Sequence, residues 1–381
     1  MILFSSKGLR ICASGWYGFW RRMSFIEVDS SAMPMSSEDF WEEPADAGRM
    51  EPSAIFEPWA QARGLLLAVS GGPDSVALML MAAEWVERSS TPPPLSVATV
   101  DHGLRKESRE EAEAVGGWAA ALALPHRILT WTGDKPKSRI QERAREARYA
   151  LLFDHAAQIG ADHVLTAHHA DDQAETILFR LVRGSGIAGL AGMAPSTPCC
   201  GITLERPLLA YPKASLVAYC RAKAHPFILD PSNANPDFAR TRLRRLSGLL
   251  ADAGLGRQAL LRLGERAQRA NVALDQASQA TLRNIKVERE PGAFSADLSS
   301  FADQPEEILL RILADELKLI RGERPLRLDR LESLAKRLIE TLRKGYPFRG
   351  TLGGATISLN SDGWLVIRPE SARQRGRGKI F

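Results

Sequence analysis

Residues 65–69 are an apolar run that ends in Ser70-Gly71-Gly72-Pro73-Asp74-Ser75, and apolar residues at helical spacing (Val76, Leu78, Met79, Leu80) follow. Two glycines between a strand and a helix let backbone N–H groups turn inward. The helix start adds unpaired donors and the positive end of its dipole. Pro73 suits the first helical turn, where a missing N–H costs nothing. Such a turn is a cradle for phosphate, although the Gly-Lys-Ser/Thr ending of an ordinary nucleotide-binding loop is absent. An acid beside phosphates is repulsive unless a cation intervenes, so Asp74 points to Mg²⁺. The alternative is an acid that only favours the helix N-terminus.

Two further polar clusters have the same placement, Asp101-His102-Gly103 after the run 95–100 and Ala167-His168-His169-Ala170-Asp171-Asp172 after 163–167. Neighbouring His168 and His169 on a strand point to opposite faces, which argues against one shared metal. Asp171 and Glu175 share a helical face, with Asp172 beside them. That face either attracts a primary ammonium or another cation, or is a solvated helix start favoured by the dipole. Arg143, Arg145 and Arg148 are either a solvated helical face or cations set against phosphate.

The elements that must position these groups follow from periodicity. Short apolar strands at 65–69, 95–100, 126–131 and 163–167 alternate with helices at 73–88, 107–122 and 138–159, and another helix begins near Asp171. This is the pattern of a parallel sheet covered on both faces, whose ligands sit at the carboxyl ends of the strands. Residues 184–213, rich in Gly and Pro, read as loop. From Leu243 the pattern turns helical, opened by Arg240, Arg242, Arg244 and Arg245. Amphipathic helices are expected at 306–319 and 328–342, and a hairpin at 351–367 turning through Asn360-Ser361-Asp362-Gly363. The organisation expected is a disordered extension (1–60), a doubly wound α/β domain (61–245), a smaller, mainly helical domain (246–370) and a basic tail (371–381).

The chain has 381 residues, enough for two cores, and 50 Lys and Arg against 45 Asp and Glu permit an anionic partner without demanding one. Cys12, Cys199, Cys200 and Cys220 make no CxxC pair and no metal-ligand spacing, which suits a reducing, cytoplasmic setting. No apolar run is long enough to cross a bilayer.

The hexapeptide at 70–75 resembles the PP-loop of ATP pyrophosphatases, which cleave ATP between its α and β phosphates. The remaining blocks narrow the resemblance. Asp101-His102-Gly103-Leu104-Arg105, Gln141-Glu142-Arg143-Ala144-Arg145 with Arg148-Tyr149, the His168–Thr176 block, Arg183-Gly184-Ser185-Gly186, Arg206-Pro207-Leu208-Leu209 and Asp230-Pro231-Ser232-Asn233 are similar to the tRNA(Ile)-lysidine synthase family. The resemblance implies an adenine-nucleotide α-hydrolase-like fold. It also implies ATP-dependent ligation of L-lysine to the wobble cytidine of an isoleucine tRNA with a CAU anticodon. The cytosine oxygen attacks the α-phosphate, pyrophosphate leaves, and the lysine amine displaces AMP from the adenylated cytidine.

On that reading Ser70, Gly71, Gly72, Pro73, Asp74 and Ser75 hold ATP, with Mg²⁺ on Asp74. Asp171, Asp172 and Glu175 hold lysine or a cation, Arg145 meets the α-phosphate, and His168 or a carboxylate takes the amine proton. Arg240, Arg242, Arg244 and Arg245 touch tRNA phosphates. The competing readings are an RNA-thiolating enzyme with the same loop, which generally needs paired or cluster-binding cysteines, and a non-catalytic nucleotide- or RNA-binding module.

Overall fold

The computed structural model describes residues 50–104, 107–133, 140–229, 246, 248–321 and 326–370. These divide into two compact units, with the boundary between Arg266 and Ala267 rather than near residue 245.

In the first unit β1 (Leu65–Ala68) is buried along its whole length, as expected of a central strand. It pairs in parallel with β2 (Leu95–Asp101) on one side and β4 (His163–Leu165) on the other. Beyond β2 lies β3 (His126–Thr130), and beyond β4 lie β6 (Ile202–Glu205) and β5 (Ser196–Cys199), giving the order β3-β2-β1-β4-β6-β5. The strand order reverses between β1 and β4, the crevice where open α/β sheets bind ligands. The β5–β6 hairpin stands where the Gly- and Pro-rich composition of 184–213 suggested only loop. Its β6 extends the parallel sheet alongside β4, and its β5 closes the edge antiparallel.

Helix α2 (Pro73–Arg88) leaves β1 with Pro73 in its first turn, Asp74 at its positive end and Arg88 at its negative end. Its residues from Val76 to Ala83 are all buried. Helix α3 (Ser108–Ala121) joins β2 to β3, and α4 (Ile140–Ile159) returns from β3 to β4. Helix α5 (Ala170–Val182) follows β4, and α7 (Lys213–Ala222) lies against α2, after the short α6 (Ile187–Leu190) and the hairpin.

The expected extension through residue 60 is corrected at its end. Helix α1 (Pro52–Phe56) packs on α2, with Phe56 fully buried and stacked on Trp85 at 5.5 Å between ring centroids. Removing an aromatic ring of this size from water contributes about 2–3 kcal/mol.

The second unit holds more strand than the expected hairpin. Strands β7 (Val287–Glu290), β8 (Ala293–Asp297), β9 (Phe348–Leu352), β10 (Ala355–Leu359) and β11 (Trp364–Pro369) form an antiparallel sheet ordered β7-β8-β11-β10-β9. One face, carrying Phe294, Ala296, Ile357, Leu359, Leu365 and Ile367, is buried. That alternation is the mark of a sheet with one wet side. The buried face shares a core with α9 (Glu306–Arg321) and α10 (Leu328–Lys344). Gly345, at φ +68°, ends α10 in the left-handed conformation that glycine adopts without strain. The long helix α8 (Arg257–Arg283) runs through the boundary between the units.

Candidate active site

The cradle is built by local bonds. Gly71 takes φ +91° and Gly72 an extended conformation, so the chain turns sharply between β1 and α2. The Ser75 hydroxyl donates to Gly72 O (2.9 Å) and accepts from Ser70 N–H (3.1 Å), closing the turn on itself. Gly71 O accepts from Ile228 N–H (2.9 Å), and a Cβ on Gly71 would stand 2.7 Å from Ile228 Cδ1. No larger residue takes that place without a shift. Below the turn, buried Cys220 donates its thiol to Pro73 O (3.4 Å); burial and the Asp74 charge push that thiol up to about 11, so it is inert.

Asp74 projects from the first turn of α2 towards the start of α5. Its Oδ1 is buried with no hydrogen-bond partner. Its Oδ2 lies 3.7 Å from His169 Nε2. Burial pushes the Asp74 carboxyl up, and the positive charges of His169 and Lys213 only partly offset this.

His169 is the N-cap of α5, and its backbone N–H donates to Asp172 Oδ2 (3.2 Å). Its ring stands 3.5 Å from both Asp171 Oδ2 and Asp172 Oδ2. Burial works against its charge, but Asp172, Asp171 and Asp74 outweigh burial and hold it up at about 9. The ring is therefore an imidazolium, and Nδ1 donates to Asp171. A neutral ring would instead accept from Asp172 N–H, which lies 3.4 Å away.

Asp171 is more committed than its spacing suggested. Its Oδ2 accepts from Lys213 N–H (2.8 Å), capping α7, and its Oδ1 accepts from Arg257 Nη1 (3.1 Å). Burial opposes its charge, yet the His169 and Lys213 bonds and the Arg257 charge hold the carboxyl down at about 2. Asp171 thus joins α5, α7 and the start of α8. Asp172 faces His169, and Glu175 is buried one turn further along α5.

His168 turns the other way. Thr166 Oγ1 donates to Glu205 O (3.2 Å) and so accepts from His168 Nδ1–H (3.0 Å), which leaves Nε2 with a lone pair. Burial, reinforced by Arg145, Arg206 and Arg148 and opposed by Asp172, pushes this ring down to about 3. Arg145 lies over the Tyr149 ring at 5.2 Å, and its Nε is buried without a partner. The adjacent histidines thus separate two fields, acids around His169 and arginines beside His168.

Asp101, buried at the end of β2, accepts from Gly103 N–H (3.0 Å) and from the Ser108 hydroxyl. The structure brings 70–75, Asp74, Asp171, Asp172, Glu175, His168 and Arg145 to the carboxyl edge. Arg240, Arg242, Arg244 and Arg245 lie outside the described residues.

Residues 48–248 match the family model of the PP-loop domain. A tRNA(Ile)-lysidine synthase of Methylobacterium sp. (strain 4-46) is 50% identical over 333 residues, covering 85% of this chain and 95% of that protein. A protein of the same name from Methylobacterium nodulans is 46% identical over 92% of this chain and 100% of its own length. One from Rhodopseudomonas palustris is 45% identical over 86% and 96%. The chain belongs to the tRNA(Ile)-lysidine synthase family.

Within this family fold, two residues of the site were not assigned from sequence. Arg206 follows β6, and its charge opposes protonation of His168; its signal was the Arg206-Pro207-Leu208-Leu209 block, which carried no chemistry of its own. Gln173 grips Met193 with both ends of its amide, accepting from Met193 N–H (2.7 Å) and donating to Met193 O (2.9 Å). That clamp fixes the loop before β5 to α5. Among the described residues no helix is long and apolar enough to cross a membrane.

Proposed function

We propose a division of labour along the carboxyl edge for the family reaction, ATP-dependent formation of lysidine on an isoleucine tRNA, which this chain performs as a ligase. The 70–75 cradle takes the β- and γ-phosphates of ATP on its backbone N–H groups and holds the pyrophosphate that departs. The single observation that carries this assignment is the orphaned, buried Asp74 Oδ1 at the mouth of the cradle. A buried carboxylate oxygen with nothing to accept from is costly, and a cation shared with phosphates removes the cost. One hard carboxylate fits Mg²⁺, which is bound by one or two acids together with substrate phosphates. Asp74 would hold that ion, and the ion would supply screening of phosphate charge.

Arg145 meets the α-phosphate, where charge develops as the cytosine oxygen attacks and pyrophosphate leaves. The lysine ammonium is held on the acidic face of α5 by Asp172 and Glu175, beside Asp171, which Lys213 and Arg257 fix in place. The amine must lose a proton before it attacks and expels AMP. His168 Nε2 carries the lone pair to receive it. Substrate phosphate offsets the neighbouring arginine charges and raises that basicity in the complex. The basic residues Arg240, Arg242, Arg244 and Arg245 hold tRNA phosphates, and the enzyme works in the cytoplasm, where its tRNA is.

The test is incubation of the purified chain with ATP, Mg²⁺, labelled lysine and an isoleucine tRNA bearing CAU. Label should enter the tRNA with one AMP and one pyrophosphate released per lysine. Pyrophosphate release without lysine transfer under any conditions would contradict the assignment.

A further inference from the structure

Arg206 sits one residue beyond β6, beside the end of β4, and is only 3% exposed. Its Nη1 is fixed by Ala194 O (2.6 Å) and Thr197 Oγ1 (2.9 Å). Its Nε is buried with no acceptor. Neighbouring Glu205 does not fill the gap, because its Oε1 accepts from His163 Nδ1 (3.1 Å) and Ser196 Oγ (3.1 Å). The guanidinium is thus held at one nitrogen while its Nε edge, the one suited to a two-oxygen anion, goes unused. Unsatisfied buried donors are rare in native proteins and call for a functional explanation.

We propose that Arg206 anchors the α-carboxylate of the amino-acid substrate. This inference rests on the lysine-ligating function proposed above. Lysine is a zwitterion with a long reach between its carboxylate and its distal ammonium, and the site has matching ends. His168 is tied to this end of the sheet, because Thr166 Oγ1 holds His168 Nδ1 (3.0 Å) and donates to the carbonyl of Glu205 (3.2 Å), the residue before Arg206. The negative charge of Asp172 and the positive charges of Arg145, Arg206 and Arg148 all act on its ring. A lysine running past His168 places its ammonium against Asp172 and Glu175 and its carboxylate against Arg206.

Position favours a carboxylate over a phosphate. Strand β6 is two strands from β1, so Arg206 lies roughly 10 Å along the sheet edge from the ATP cradle. The phosphates of a polynucleotide, by contrast, are met by arginines that reach out from a surface, not by one buried to this degree. A planar fork seated in a dry site is also a selectivity device. A substrate without the carboxylate leaves the arginine unpaired and is rejected.

The experiment uses the full chain and its Arg206→Lys variant, which keeps the charge and loses the planar edge. Lysine is compared with cadaverine, the diamine left when lysine loses its carboxylate. The unmodified enzyme should use lysine at least about tenfold better than cadaverine. In Arg206→Lys the KM for lysine should rise at least about tenfold, with cadaverine use unchanged, so the discrimination collapses. Pyrophosphate release from ATP and tRNA in the absence of lysine should stay within about twofold.

Equal use of the two amines by the unmodified enzyme would overturn the proposal. A rise confined to the KM for ATP or for tRNA would also overturn it, assigning Arg206 to a nucleotide or RNA phosphate. So would an unchanged lysine KM in a variant that melts like the parent. Should Arg206→Lys fail to fold, Thr197→Val loosens the anchor at Nη1. It should raise the lysine KM about threefold without affecting cadaverine, and no change would again overturn the proposal. Failure of the unmodified chain to transfer any lysine would bring down the ligase reading itself, and that control keeps the two failures apart.

Discussion

The two units treat buried charge in opposite ways. Among the described residues of the second unit each buried ionisable side chain is matched. Arg311 donates to Glu307 (2.9 Å), Asn271 (2.9 Å) and Asp275 (2.5 Å), and Glu316 pairs with Arg289. In the first unit Asp74 Oδ1, Arg145 Nε, Arg206 Nε and Ser215 Oγ are buried without partners, whereas the described residues of the second unit hold no such atom. Unpaired buried polar atoms cost stability, so a fold keeps them where a ligand supplies what is missing. In the first unit three of the four stand at the carboxyl edge of the parallel sheet, on two sides of the paired histidines. The second unit has the electrostatics of a folded support, the first those of a site awaiting charge.

The largest effect that would sharpen this contrast is expected at Asp74. Asp74→Asn should lower turnover about a thousandfold, the several kcal/mol that a lost phosphate-bound cation commonly represents. Its melting temperature should stay close to the parent's, because the buried charge of a carboxylate with one unpartnered oxygen is removed while its contact with His169 is weakened. A stability loss with activity retained would make Asp74 a structural cap.

In the second unit the order of effects should reverse. Arg311→Ala removes a buried guanidinium and its three hydrogen bonds, and because the acids it serves are themselves half exposed it should cost about 2 kcal/mol of that unit's stability, read by denaturant unfolding. The rate of pyrophosphate release, measured below the transition, should be unaffected.

Asp171 tests a well-satisfied acid of the first unit. Its carboxyl is held down at about 2, below the ordinary aspartate value of 3.8. Its stabilising contribution is therefore complete above about pH 4 and lost as pH falls towards 2. Asp171→Asn should cost about 2 kcal/mol at pH 7, as expected for a hydrogen bond to a charged partner. It should also show a shallower fall in melting temperature between pH 4 and 2. Parallel acid profiles for parent and variant would refute the pairing.

The smallest effect is expected from removing residues 1–49. A chain beginning at Met50 keeps α1, Phe56 and the stack on Trp85. It should match the parent within about 0.5 kcal/mol and in lysine transfer. Phe56→Ala in the same chain is the contrast, with about 3 kcal/mol lost to an unfilled cavity.

The carboxyl-edge site was legible in the sequence because its strands are short apolar runs and polar clusters follow them directly. What was illegible depended on distant partners. The cap that Asp171 places on α7 joins residues 42 positions apart, so spacing within α5 suggested a cation-binding face or a solvated helix start and not a tie between helices. Strand β6, with the sequence Ile202-Thr203-Leu204-Glu205, is too short to stand out among glycines and prolines, and with it went the position of Arg206. Strand β7, Val287-Glu288-Arg289-Glu290, carries three charges in four residues. That composition is common on a sheet edge, where it discourages further pairing, but as sequence it reads as loop. The Asn360–Gly363 turn was legible since it is made locally, Asn360 Oδ1 accepting from Asp362 N–H (3.1 Å) and Trp364 N–H (2.7 Å).

On the proposed division of labour, one edge carries out adenylation of the tRNA first and transfer of lysine second. The direct measurement is a single-turnover reaction of the full chain with labelled ATP and an isoleucine tRNA bearing CAU, with lysine withheld and then added. One pyrophosphate per tRNA should be released before lysine arrives, with AMP retained on the tRNA and released only when lysine is added. Pyrophosphate release that requires lysine, or AMP attached to lysine in the absence of tRNA, would contradict it.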